Sequence, residues 1–366
     1  MSADATHSAN ATHKDDIRAF TEEELVSLCE QLGHRAFRGK QIAEWLWKHR
    51  VNSFDDMLNL SKSLRAELAE RFTIHSALAD DVQESQDGSV KVGFRLYDGE
   101  LVEGVLIPAG ERMTACISSQ VGCSLRCAFC ATARIPMRRN LSAGEIVDQV
   151  DDLGRRAVER FDRPLTNIVY MGMGEPLSNY HEVVRSMRLL TWEKGFDISA
   201  KRITLSTAGL APEMNRLAEE GLPINLALSL HAATDPVRRN LMSSAREYPL
   251  EELAEAVKHW NRVHGEKVTL EYLLLAGHND SEEAARTLVQ FASNLPCKVN
   301  IIEYNPVVGI PFRASDRTVT DRFAATLADA GITVTVRHSS GKDIDAACGQ
   351  LAGRAERKRK NQNAPV

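Results

Sequence analysis

The chain has 366 residues, of which 43% are hydrophobic and 26% charged, and a formal net charge of −5. This is the composition of an ordinary soluble globular protein, long enough for one large domain beside a smaller one, and no run reaches the length of a transmembrane helix. Seven cysteines, an odd number without a secretory signal, argue against a disulfide framework and for metal or catalytic use, while the mildly acidic total leaves nucleic-acid binding to local basic patches.

In chain order, residues 1–15 are rich in Ala, Ser, Thr, Asn and His, lack an apolar signal core, and read as a disordered leader of a cytoplasmic protein. Residues 16–75 read as a helical module. Thr21 followed by Glu22, Glu23 and Glu24 is an N-cap with an acidic first turn. Ile42, Trp45 and Leu46 recur at helical spacing between Gly39 and Arg50, and Ser53 opens a further helix with Leu58, Leu60, Leu64 and Leu68 as its apolar positions. His34, Arg35, Arg38, Lys40, Lys48, His49 and Arg50 give the module a basic edge, while Trp45 and Trp47 are expected to pack within it. Residues 76–108 change to two-residue alternation, with Asp87-Gly88 and Asp98-Gly99 as hairpin signals, and read as a β-meander linker. Residues 109–343 alternate strand-like and helix-like runs. The strands are Thr114–Ser118, Asn167–Met171, Arg202–Ser206, Ile224–Ser229, Val268–Leu274, Lys298–Tyr304 and Ile332–His338, and Ala143–Arg160 and Leu250–His264 are typical helices between them. Such alternation implies an α/β fold, a parallel sheet of six or so βα units forming an open or partial barrel, with its site at the C-terminal strand ends. Residues 344–366 read as a flexible C-terminal segment with a basic, exposed tail.

The chemistry concentrates in Cys123, Cys127 and Cys130, which follow the first of these strands in a C-x3-C-x2-C loop. Three thiolates can hold three corners of a cubane iron–sulfur cluster and leave the fourth iron open for chemistry. A zinc or four-cysteine site completed from a distance is the alternative. A second constellation, Val169 to Leu177, runs an apolar strand into Gly174-Glu175-Pro176, where glycine admits a close backbone approach and a carboxylate can take an ammonium group. Ser206, Ser229-Leu230-His231 and Asn305 end three further strands and would ring one cavity, though each alone is as well suited to a turn or cap. Of the remaining cysteines, Cys29 and Cys297 read as small buried residues. Cys348 lies among Ala, Gly and Gln after a Ser-Ser-Gly-Lys turn, a segment suited to carrying a thiol toward a site, and Cys116 precedes the cysteine loop by seven residues.

The cysteine loop, with Phe129 before its third cysteine, resembles the signature of the radical S-adenosylmethionine (SAM) superfamily. The runs Val102–Pro108, Cys116–Cys123, Met171–Leu177, Leu205–Gly209, Ser229–His231 and Asp345–Gln350 further resemble the RlmN family of RNA adenine methyltransferases, over about residues 17–353. The resemblance implies a partial (βα)6 radical SAM barrel with an N-terminal helical RNA-binding accessory domain. It implies a [4Fe-4S] cluster on Cys123, Cys127 and Cys130, and SAM, two per turnover, held by Gly174, Glu175, Ser206, Ser229, Leu230, His231 and Asn305. It also implies a methyl relay through Cys348, a resolving disulfide from Cys116, and Glu103 as proton acceptor. Read as a residue alone, Glu103 is a solvated strand carboxylate. The implied substrates are 23S rRNA and tRNA, and the implied electron source is a low-potential reductant such as flavodoxin. Arg126, Arg134, Arg138 and Arg139 flank the cysteine loop and could guide RNA, or form a solvated face. Methylation at adenine C8, and a non-catalytic iron–sulfur or zinc RNA-binding protein, stay open.

Overall fold

The computed structural model describes residues 14–351. The leader up to residue 13 and the basic tail from residue 352 lie outside the described residues. The chain divides between Ser76 and Ala77 into two compact units.

Among the described residues the first unit holds three α-helices, α1 (Glu22–Gln31), α2 (Phe37–Trp47) and α3 (Lys62–Arg71). Thr21 and Glu24 close a capping box at the start of α1, so the acidic first turn also supplies the reciprocal side-chain bond. Leu25, Ile42, Leu46, Leu64 and Leu68 are buried as the apolar spacing requires. The helix expected from Ser53 does not form there. Ser53 caps only a short 3-10 turn, Phe54–Asp56, and α3 starts later, capped by Ser61 on Leu64 N at 3.2 Å. Leu58 is consequently 75% exposed, while Leu60, Leu64 and Leu68 turn inward.

The second unit is built on one ten-stranded sheet whose strands are neighbours in space in the order they occur in the chain. The first four, β1 (Leu78–Glu84), β2 (Val90–Arg95), β3 (Leu101–Ala109) and β4 (Arg112–Cys116), pair antiparallel. Then β5 (Asn167–Tyr170), β6 (Ile203–Thr207), β7 (Asn225–Ser229), β8 (Val268–Leu274), β9 (Cys297–Glu303) and β10 (Val334–Arg337) follow β4 in parallel. The expected meander therefore continues the barrel sheet instead of standing apart from it, because β3 and β4 share a register from Val105–Cys116 to Ala109–Arg112.

Six helical crossovers join the seven parallel strands. They are α4 (Ala143–Phe161), α5 (Tyr180–Thr191), α6 (Ala211–Ala218), the pair α7 (Asp235–Leu241) and α8 (Leu250–His264), α9 (Glu282–Ala292) and α10 (Arg317–Asp329). The fold is the partial (βα)6 barrel that the alternation implied. Its strand interiors, Ile168, Leu205, Leu228, Leu270 and Ile301 among them, are fully buried under the helices. Among the described residues no helix is long and apolar enough to cross a membrane.

Candidate active site

The C-terminal ends of the parallel strands open into a cavity of about 180 Å³. Its wall carries Cys123, Cys127 and Cys130 from the loop after β4, Gly174 and Glu175 after β5, Ser206 on β6, Ser229 and His231 at the end of β7, and Cys348. Long-range folding thus brings together residues more than 200 positions apart, as the strand-end reading required.

The cysteine loop is fixed by main-chain bonds on both sides. Ala128 N donates to Leu241 O at 2.9 Å, Arg126 N to Ser243 Oγ at 2.9 Å, and Ala131 N to Gly349 O at 2.8 Å. Burial raises all three thiols, Cys123 to about 12; hydrogen bonds from Leu125 at Cys123 and from Ala133 and Thr132 at Cys130 oppose it, while the other thiols push Cys127 further. Protons are therefore held until a cation compensates the thiolates, which suits metal ligation. Among the described residues no three His, Cys, Asp or Glu converge on one point as a single ion requires. A cubane cluster takes one thiolate per iron corner, so donors spread along one wall fit it.

Glu175 is the second charged element. Its Oε2 accepts from Ala208 N at 2.7 Å and Oε1 from Leu177 N at 3.0 Å, but burial outweighs these bonds and raises its pKa to about 7. Gly174 has φ +98°, and a Cβ there would sit 2.5 Å from Gln120 Cβ and 2.9 Å from Gln120 N. Only glycine lets the turn close down on Gln120, whose Oε1 then accepts from Glu175 N at 2.9 Å. An ionised Glu175 in a wall of thiols is a site for a cationic ligand group.

His231 stands at φ +57° at the end of β7. Its Nδ1 accepts from Leu273 N at 3.0 Å, so the ring proton resides on Nε2, and burial lowers its pKa to about 3. The neutral ring meets Phe129 edge to face at 4.9 Å and so steadies the cysteine loop. Two residues expected at the ligand do not reach this wall. Leu230 is fully buried, and Asn305 Nδ2 is taken by Ser339 Oγ at 2.8 Å.

Cys348 borders a second, smaller cavity together with Cys116 and Arg337. Cys116 is raised to about 12 by burial and then by the Cys348 thiol, while Arg337 opposes the shift. Cys348, ahead of Glu271 and Cys116, favours the charged form of Arg337. The segment bearing Cys348, expected to be flexible, is pinned over residues 341–351. Gly341 N donates to Asp87 Oδ2, Gln86 N to Asp343 Oδ2, Lys91 Nζ to Ile344 O and Asp345 O, Gln350 Nε2 to Pro306 O, and Thr132 Oγ1 to Leu351 O. Glu103 is not solvated. It is 5% exposed on β3 and pairs with Lys91 at 4.0 Å, outside both cavities.

The basic flank divides. Arg139 turns inward as a fork onto Glu145 and onto Asp98, and Arg134 caps Val308 O and Gly309 O. Arg126 and Arg138 have no side-chain partner among the described residues. Sequence reasoning missed Glu271, a main-cavity carboxyl that burial raises to about 7 although Arg337 and Asn300 oppose it. A single acid inside the apolar run Val268–Leu274 was the available signal.

Comparison with known proteins agrees with this geometry. Residues 117–289 match the model of the radical SAM superfamily, and residues 16–74 match that of the ribosomal RNA large subunit methyltransferase N-terminal domain. The chain is 43% identical to the dual-specificity RNA methyltransferase RlmN of Desulfotalea psychrophila, across 93% of this chain and 95% of that protein. It is 44% identical to the protein of the same name from Geotalea uraniireducens, across 94% and 98%. The crystal structure of a radical SAM methyltransferase from Sphaerobacter thermophilus superposes with a TM-score of 0.86 at 41% identity, covering 92% of this chain and 99% of that one. With a matching barrel, cysteine loop and N-terminal module along nearly its whole length, the chain belongs to the RlmN family of radical SAM RNA methyltransferases.

Proposed function

We propose that this protein methylates carbon 2 of an adenine in 23S rRNA and in tRNA, in the cytoplasm, through a methyl group carried on Cys348. The observation that carries the reading is the position of Cys348, which borders both the cavity of the three clustered thiols and the cavity of Cys116. Adenine C2 is an electron-poor C–H and no nucleophile, so polar transfer from SAM faces a prohibitive barrier and a radical route is required. The family implies a [4Fe-4S] cluster and SAM. Cys123, Cys127 and Cys130 would hold the cluster, which with SAM bound supplies a 5′-deoxyadenosyl radical. Glu175 would accept the SAM ammonium, with Gly174, Ser206, Ser229 and His231 around it.

The chain's own residues then divide the work. Cys348 accepts a methyl group as its thioether, gives a hydrogen atom from that methyl to the deoxyadenosyl radical, and joins adenine C2 through the resulting carbon; the adduct so formed is a radical and would pass one electron back to the iron–sulfur centre before it is resolved. The family resemblance gives the C2 proton to Glu103, which lies beside Lys91 and outside both cavities, so its access to that proton depends on how the RNA is seated. Cys116 attacks Cys348 sulfur and releases the methylated RNA, leaving a disulfide for reduction. A raised Cys116 thiol suits a group that stays protonated until the adduct forms. The basic edge of the N-terminal module, with Arg126 and Arg138, supplies phosphate contacts for RNA.

The test is reconstitution under anaerobic conditions with SAM, a low-potential reductant such as flavodoxin, and an rRNA fragment. Mass spectrometry should find 2-methyladenosine and 5′-deoxyadenosine. Sole formation of 8-methyladenosine would overturn the C2 assignment. Absence of 5′-deoxyadenosine would leave a non-catalytic iron–sulfur RNA-binding protein.

A further inference from the structure

Arg238 on α7 is fully buried, and its guanidinium donates only to main-chain carbonyls: Nε to Leu230 O at 3.2 Å, Nη1 to Tyr248 O at 3.2 Å and Nη2 to Ala208 O at 2.8 Å. No carboxylate lies within ion-pair distance of it among the described residues, although Asp235 favours its charge from farther away. Asp235, one turn earlier, instead accepts from Leu250 N through Oδ1. The space for the guanidinium is kept by Gly209, where a Cβ would lie 3.2 Å from Nη2 at φ +89°.

A buried cation with no directly paired counter-ion is unfavourable, and carbonyl dipoles offset it only in part. Its location says what completes it. The C-terminal end of α7 holds the cysteine loop through Leu241 O and Ala128 N. Ala208 is gripped from two sides, its amide by Glu175 and its carbonyl by Arg238. Ala208, whose carbonyl Arg238 holds, and His231, next to the Leu230 carbonyl it also holds, line the same cavity as Cys123, Cys127 and Cys130, so the guanidinium sits directly behind that wall. An iron–sulfur cluster on three thiolates is an anion, and becomes more so on reduction.

We propose that Arg238 is the buried counter-charge of the cluster, a positioning residue that acts through the cluster and favours its reduced form. This rests on the reading of Cys123, Cys127 and Cys130 as cluster ligands. Its distinct content is that the charge of Arg238, beyond its three hydrogen bonds, sets the ease of reduction.

The test compares reconstituted full-length wild type, Arg238→Gln and Arg238→Lys by redox titration followed with visible absorption and electron paramagnetic resonance. Arg238→Gln keeps donors but loses the charge. Its reduction equilibrium should shift at least tenfold toward the oxidised cluster, about 59 mV lower for a one-electron couple. Arg238→Lys keeps the charge but loses the fork, and should stay within threefold of wild type while melting at a lower temperature. An Arg238→Gln protein with full iron and sulfide content and an unchanged potential would overturn the proposal and leave the function standing. So would equal shifts in both variants. A wild-type protein that takes up no cluster would overturn the ligand reading itself.

Discussion

Replacing Glu175 with Gln separates what the carboxylate does for the fold from what it does for a ligand. In the metal-free protein its pKa is raised from the ordinary 4.5 to about 7 by burial. The folded state therefore holds a proton that the unfolded chain releases, and stability falls as pH rises from about 4.5 through 7. That gap corresponds to roughly 3 kcal/mol lost above neutrality. Glutamine cannot ionise, so this part of the slope vanishes. It also offers one oxygen where Glu175 offers two, so either Leu177 N or Ala208 N faces an NH2 group, at a cost of about 1–3 kcal/mol. The variant should be less stable than wild type at pH 5 and equal or more stable at pH 8, the curves crossing between about pH 5 and 7 according to that cost. Glu271, raised to about 7 with the same sign, still titrates in the variant, so adding Glu271→Gln should flatten the curve further. Hydrogen exchange of barrel-strand peptides across urea reads this unit without the N-terminal one. A charge-assisted bond contributes about 1.5–3 kcal/mol, so SAM affinity of the reconstituted variant should drop at least about tenfold. A Glu175→Gln protein with the full wild-type pH slope would refute the buried-acid account, and unchanged SAM affinity would refute the ligand role.

The other expectations follow from named contacts. Gly174→Ala puts a methyl 2.5 Å from Gln120 Cβ at φ +98° and should cost about 2–4 kcal/mol in combined backbone strain and overpacking. Isothermal titration should find SAM binding weakened at least about tenfold, and retention of full affinity would count against the close-approach argument. Lys91→Met removes the ammonium from Ile344 O, Asp345 O and Glu103, at about 3–5 kcal/mol for the buried charge left behind. Faster alkylation of Cys348 by iodoacetamide in the apo protein is expected, and an unchanged rate would mean that other contacts alone hold the segment. Cys348→Ala should keep iron but make no methylated RNA, Cys123→Ala should lose both, and Cys116→Ala should accumulate protein-linked RNA on denaturing gels. Unlinked RNA in the Cys116 variant would remove its resolving role.

The parallel half of the sheet was legible because each buried strand is a short apolar run between amphipathic helices, and seven such runs became seven strands. The helix start at Ser53 was misplaced because Leu60, Leu64 and Leu68 share a face while Leu58 does not, and a cap residue cannot by itself distinguish a 3-10 turn from a full helix. Charges inside strands were harder. Glu103 looks in sequence like a solvent-facing residue and Glu271 carries only its apolar setting as a signal, yet both are buried, against Lys91 and against Arg337 and Asn300, and those partners lie on different strands. Arg139 looked available to RNA but answers the need of Glu145, 1% exposed, for a cation. Cys348 was found as a thiol of interest, but its pinning by Asp87, Lys91 and Pro306 is a property of contacts more than 40 residues apart in sequence.

That pinning gives the antiparallel half of the sheet a purpose on the proposed function. The strand ends from β5 to β9 line the main cavity, where a radical would be made. They do not by themselves decide what the radical attacks. The turn at Ser85–Ser89 and Lys91 on β2 hold residues 341–345, and Ala131, Thr132 and Pro306 hold residues 349–351, so Cys348 is fixed from both sides at the boundary of the two cavities. β3 and β4 place Glu103 and Cys116 on the same side of the sheet order as that turn. A reactive carbon on a rigidly held side chain has few hydrogen atoms within reach other than those presented to it, which limits self-damage as well as choosing the substrate. On that proposal the hairpins would be part of the selectivity of the reaction, and loosening them should cost product yield before it costs radical formation.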